Sequence, residues 1–392
     1  MQWTRRQLLA TLGASVLVAP GLAHATDPRA RRRFVLVILR GGADGLAAIP
    51  PVGDPDYARQ RGSLALDPSA CLPLDDTFSL NPALAPLADW YAEGCLLPVH
   101  AVGQAYRKRS HFDAQDALEN GTATAKGAHD GWLNRALLAG GSPPATSIGV
   151  SLPLVLRGSA PAASVDPTRQ SDAPEDFLDQ VADMYAQDGL LGPALAEARG
   201  VQAQVDEAGT PMKAKGKARK ATRLAAGIGA AGELLADPGG PQVMVVEGGG
   251  WDTHARQGTD SGNLHRQLAS LATGLTRLRE GLGDAWQHTT VVCISEFGRT
   301  VRPNGTAGTD HGTGGFALLA GGRVKGGRVA ADWPGLSPSA QLDGRDLMPT
   351  LDSRALFKAA LHGGLGIEDA ALDRVVFPDS AAVKRPEGWF RS

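Results

Sequence analysis

34-FVLVILRGGADGL-46 decides the fold. Six apolar residues run from Phe34 to Leu39 without a polar break, and Arg40 and a glycine pair follow. A half-exposed strand would alternate polar and apolar residues, and a surface helix would keep a polar face. An unbroken Val/Ile/Leu run of this length, closed by glycines, is how a strand covered on both faces looks, with a loop at its carboxyl end. Such a strand needs parallel neighbours and crossover helices, so the stretch predicts an α/β sheet.

The pattern returns twice. Residues 242-QVMVVEGGGWDTH-254 and 289-TTVVCISEFGRT-300 each read as a buried strand ending in glycine and polar side chains. Between them, 261–283 carries Leu and Ala at helical spacing behind Ser261 as a cap. Residues 81–94 predict a capped helix and 95–103 a short strand. Residues 172–189 predict another helix, and the Ala-, Lys- and Glu-rich 191–237 one or two more on the surface. Alternating strands and helices predict one α/β domain over 34–392. Its sheet is doubly wound and largely parallel with helices on both faces, and it carries a helical insertion around 172–237. Ligands in such sheets bind outside the carboxyl ends of the strands, where these polar clusters fall.

Those clusters hold the candidate site residues: Asp44; Ser110, His111 and Asp113 in 109-RSHFDAQD-116; Asp252 and His254 in 250-GWDTH-254; Glu296 and Arg299; Asn304; and Asp310 and His311 in 308-GTDHG-312. A lone Asp in a glycine loop is usually a turn residue accepting backbone N–H groups, so Asp252 and His254 taken alone read equally as turn or as ligand pair. His111, His254 and His311 each stand within two residues of an Asp. Imidazole with carboxylate suits zinc, manganese or iron without distinguishing them. The three cysteines form no CxxC, so a thiolate site is not indicated. An oxidising compartment would permit a Cys71–Cys95 bridge, and Cys293 reads as a core residue.

Residues 1–25 read as an export signal: Arg5-Arg6, a modest apolar stretch, and an Ala-x-Ala end at Ala23 and Ala25. The arginine pair before Gln-Leu-Leu resembles a twin-arginine signal, with the twin-arginine translocase as partner and the periplasm as destination. Residues 26–33 form a basic linker. A net charge of −2 gives no global reason to bind nucleic acid, and no later segment reads as a stable membrane span.

A strand ending in Asp-Gly, a later Ser-His, an Asp/His loop before a helix, then SEFGR and GTDHG, together resemble the exported "domain of unknown function 1501" family along essentially the whole chain. That order in turn looks like the alkaline phosphatase and sulfatase superfamily. The resemblance implies a hydrolase of small anionic phosphate or sulfate esters, with one or two divalent metals at the strand ends. Asp44, Asp252, His254, Glu296 and His311 would be metal ligands, Asp310 a replacement ligand, and His111 and Asp113 possible additions. Ser110 would be the nucleophile, with Arg299 and Asn304 stabilising an oxyanion. This sequence departs from that pattern in two places. Glu296-Phe297 stands where the superfamily has Asp-His, and one residue rather than three separates Asp252 from His254. Neither Cys71 nor Cys95 has the C-x-P-x-R context of a formylglycine site. A non-catalytic exported binding or assembly protein on the same fold is the alternative function.

Overall fold

The computed structural model describes residues 32–141, 143–149, 151–165, 175–185 and 218–391. The expected signal, most of the linker and part of the 172–237 insertion lie outside the described residues.

Eight strands form one sheet: β1 (Arg33–Arg40), β2 (Leu96–Gly103), β3 (Ala145–Ile148), β4 (Ala162–Val165), β5 (Val243–Gly249), β6 (Thr289–Ile294), β7 (Gly315–Ala320) and β8 (Leu351–Asp352). In space they run β8-β2-β7-β6-β1-β5-β3-β4. β1 pairs in parallel with both β5 and β6, and only β7 is antiparallel to its neighbours, β2 and β6. The sheet is mixed but mostly parallel, with the strand read first at its centre.

β1 is buried along almost its whole length, and its alternating side chains serve two cores. Val35, Val37 and Leu39 pack with residues of the helices Ala218–Ala236 and Asn263–Leu282. Phe34, Leu36 and Ile38 pack with residues of Trp132–Ala139 and Ser353–Leu365. Helices therefore cover both faces. With the helix His111–Asn120 first in the chain, these five are named α1 (His111–Asn120), α2 (Trp132–Ala139), α3 (Ala218–Ala236), α4 (Asn263–Leu282) and α5 (Ser353–Leu365).

Expected strands and helices recur with shifted bounds. The helix expected over 81–94 splits into a 3-10 segment, Pro82–Leu87, and the short α-helix Ala88–Ala92, because Pro86 cannot donate into an α-helical ladder. The helix expected over 172–189 is described over Glu175–Tyr185. Cys71, Cys95 and Cys293 are all buried and free, so no Cys71–Cys95 bridge forms. Burial pushes the Cys95 thiol up to about 11, which leaves it inert. Among the described residues no helix is long and apolar enough to cross a membrane.

Candidate metal centre

The loops after β1, β5 and β6 meet at the carboxyl end of the sheet. Their meeting point is Gly41, whose φ of +127° suits glycine. A Cβ there would strike the Asp252 backbone nitrogen at 2.5 Å, so only glycine lets the β1 and β5 loops touch. The Gly41 amide donates to Glu296 at 2.9 Å, and its carbonyl accepts from Arg299 at 3.4 Å.

Three imidazoles stand around Asp252, each anchored by Nδ1. His111 Nδ1 lies 2.8 Å from Glu296 Oε1, His254 Nδ1 3.1 Å from Asp310 Oδ1, and His311 Nδ1 3.0 Å from the Arg109 carbonyl. Those partners accept, so each Nδ1 carries a proton, and with the rings neutral each Nε2 presents a lone pair. His254 Nε2 lies 3.0 Å and His311 Nε2 3.2 Å from Asp252 Oδ1, and the two Nε2 atoms are 2.9 Å apart. His111 Nε2 faces Asp252 Oδ2 at 3.5 Å and is a buried nitrogen with no hydrogen-bond partner. Ligand atoms of His111, Asp252 and His311 fall within 4.8 Å of one another, a group able to hold a metal ion. Bare acceptors crowded together repel; a cation among them turns that repulsion into coordination. The orphaned His111 nitrogen and the carboxylate- or carbonyl-anchored imidazoles fit a divalent metal.

The electrostatics follow. Glu296 lies beside His111 and raises its basicity, against the pull of burial. Burial opposes the charge on Asp252, but the hydrogen bond and charge of Arg299 hold its carboxyl below the usual range. Asn304 and His254 hold Asp310 low as well. Burial lowers His311, with the Arg109 carbonyl opposing it. The Phe297 ring lies against His111 and His311, with centroids 4.8 and 5.0 Å away, and walls one side.

Several expected ligands have other duties. Asp44 is 1% exposed: it caps Leu46 and accepts from Arg61 at 2.5 Å and Gln257 at 2.6 Å, so its oxygens are spent away from the imidazoles. Glu296 accepts from Gly41, His111, Gln115 and Ser295 together, so its oxygens are occupied and it fixes the His111 ring. Arg299 commits every nitrogen internally, to Thr309, Gly41 and Asp252, so it holds Asp252 and has no fork free to clamp a substrate. The Asn304 amide donates to the His254 carbonyl and to Asp310, and organises that loop instead of facing an oxyanion. Asp310 orients His254, and Asp113 accepts from the Tyr106 hydroxyl at 2.8 Å.

Ser110 occupies the N-cap position of α1 with extended backbone, and its hydroxyl is not spent on the cap. Its neighbours tie it to the centre: His111 follows it, and Arg109 before it supplies the carbonyl that orients His311. Arg109 holds a φ of +32°, rare for a residue with a Cβ, and ion pairs to Asp346 at 2.7 Å pin its side chain. His111, named only as a possible ligand from sequence, is the one with the orphaned nitrogen. Its signals in the sequence are the Ser-His at a predicted helix start and the Asp two residues on.

An α/β protein with a histidine–carboxylate centre at the carboxyl end of its sheet is the class that fold and site define. The profile described as "Protein of unknown function (DUF1501)" matches residues 106–362, and the chain belongs to that family. No curated protein matches the sequence. Among solved structures, the chain is similar to a sulfatase from Pseudoalteromonas sp. at 14% identity and a TM-score of 0.41, covering 93% of this chain and 74% of that one. It is similar to the phosphonate monoester hydrolase of Agrobacterium radiobacter at 12% identity and a TM-score of 0.40, covering 91% and 79%. A zinc complex of the C-terminal periplasmic domain of EcEptC from Escherichia coli matches at 12% identity and a TM-score of 0.34, covering 78% and 77%.

Proposed function

We propose that the protein is an exported, metal-dependent hydrolase of phosphate or sulfate esters. One observation carries the reading: three imidazoles, each anchored through Nδ1, turn their Nε2 atoms toward Asp252, with the His111 nitrogen otherwise unpartnered. His111, Asp252 and His311 would hold the cation, with His254 beside them. A divalent metal there supplies Lewis acidity for an ester oxyanion and for the nucleophile's ionisation.

The chain's own residues supply the rest. Ser110, fixed between Arg109 and His111, attacks phosphorus or sulfur in this reading as its hydroxyl proton passes to solvent water, from which the leaving group takes one. The ester bond then breaks, the alcohol leaves with a proton, and water later releases the acid from the serine. Arg299 keeps Asp252 ionised and aimed. Glu296, Asp310 and the Arg109 carbonyl hold the three rings in register, so no ring must turn during the reaction. Export through the Arg5-Arg6 segment belongs to the same reading, because that route carries folded proteins with a metal in place.

The test has two parts. Elemental analysis of the purified chain, before and after reconstitution with zinc or manganese, should find bound metal. Ser110→Ala should then abolish turnover of an aryl phosphate and aryl sulfate panel while keeping that metal. A chain that binds neither metal, or a Ser110→Ala variant as active as its parent, would end the proposal.

A further inference from the structure

A second chemically equipped place lies at the other end of β1. That strand spans ~26 Å at about 3.3 Å per residue, with Gly41 and the metal centre at its carboxyl end and Arg32 just before its start. Beside Arg32 is a cavity of about 470 Å³, bounded by the last turns of α5, by Arg323 after β7, and by the C-terminal segment 385–391. Small-molecule sites commonly occupy ~300–1,000 Å³.

Its wall is rich in cations. Arg32, Arg323, Arg385 and Arg391 all line it, and Glu368 is the one carboxylate among its lining residues. Arg385 is neutralised by Asp369 at 2.7 Å. The other three have no carboxylate within ion-pair distance among the described residues. Arg323 reaches the Gly363 carbonyl at 3.3 Å, and Arg391 reaches the carbonyls of Gly322 and Gly94 at 3.1 and 2.8 Å. Carbonyl oxygens satisfy N–H groups but do not cancel charge. Burial and the neighbouring Arg32 push the Arg323 guanidinium below its ordinary value, so like charges stand together at a cost.

The backbone is shaped to bring these groups in. Gly366 ends α5 at a φ of +78°, and a Cβ there would meet the Arg32 guanidinium; a Cβ on Gly363 would meet the Phe390 ring. Trp389, nearly buried, and Phe390 supply a flat apolar wall beside the arginines. We propose that this cavity is a binding site for a small planar or aromatic polyanion, one bearing two or more carboxylate, phosphate or sulfate groups. Arg32 and Arg323 are its principal charge partners, and Trp389 and Phe390 face the ligand body. The site does not depend on the metal centre.

Isothermal calorimetry on the full chain tests it, with benzene-1,3,5-tricarboxylate, inorganic phosphate and inorganic sulfate as probes. The tricarboxylate should bind at one site per chain and more tightly than either inorganic ion. Arg32→Gln with Arg323→Gln should weaken it by at least about tenfold, since charge-assisted hydrogen bonds are the strong ones. Asp252→Ala should leave it unchanged. Arg323→Gln alone, with its thermal midpoint checked against the parent, serves if the double variant misfolds. The proposal is overturned if no probe binds up to millimolar concentration, if the arginine variants bind as the parent does, or if Asp252→Ala abolishes binding.

Discussion

His254 and His311 present Nε2 atoms to each other across 2.9 Å, while each Nδ1 is tied to an acceptor elsewhere. With both rings neutral neither has a proton for that contact, so two lone pairs face each other and a cation between them would relieve the repulsion.

Metal binding should therefore stabilise the fold. At a free metal concentration ~100 times Kd, a cation that binds only the native state adds about 2.7 kcal/mol. Thermal denaturation with and without zinc or manganese should show the rise, and His311→Ala should erase it. An identical midpoint in metal and in chelator would contradict this account of the contact.

Glu296→Gln should keep the fold and loosen the metal. The amide can still accept from Gly41, but it removes the charge that strengthens His111 and it turns a donor toward a crowd of donors. Loss of such a brace typically costs about 10–100-fold in metal affinity. Competition against a chromogenic chelator reads this directly; unchanged affinity would show that Glu296 does no more than tie loops together.

Asp44→Ala should do the reverse. Its ion pair with Arg61 has side chains 1% and 0% exposed, so removing the acid strands a buried guanidinium. The expected cost is about 3–5 kcal/mol, measured by urea denaturation, with metal per folded molecule unaltered. A stable variant that has lost its metal would restore Asp44 as a ligand.

His100 should make stability depend on pH. It is wholly buried, its Nε2 faces the Ile49 carbonyl at 3.1 Å and its Nδ1 accepts from the Ala101 amide. Burial drives its pKa from 6.5 to about 4. Below 6.5 the unfolded chain takes up a proton that the native state refuses, so this contribution is complete above 6.5 and is lost as pH falls toward 4. The integrated loss is about 3 kcal/mol. Denaturation midpoints at stepped pH should fall through that window, and His100→Gln should flatten that part of the profile.

Much of the fold was legible because burial on two faces leaves a plain trace: six apolar residues ahead of Gly41-Gly42, and two later runs like it. β3, β4 and β8 were not, being two to four residues long and too short to show a period. β7 was hidden behind 312-GTGG-315, which reads as loop. At the site, sequence named loops that do meet in space, but not which side chains turn toward one another. Asp44 and Asp252 both follow glycines after a buried strand, and nothing in composition separates them. Direction separates them: Asp44 turns back to cap the helical turn Gly45–Ala48, while the Asp252 carboxylate faces His111, His254 and His311. His111 pairs with Glu296 across 185 positions, a contact visible only in three dimensions.

The reversed strand β7 has a mechanical meaning. Running against both neighbours, it starts four residues after His311 and delivers the chain to Arg323 at the far pole. The loop carrying Asp310 and His311 is thus moored to a fully buried strand laddered on both sides, among the last parts of such a sheet to open. Hydrogen exchange should find the amides of Ala317–Leu319 among the slowest in the chain. The side chains on that short tether inherit a strand's stiffness although they sit in a loop.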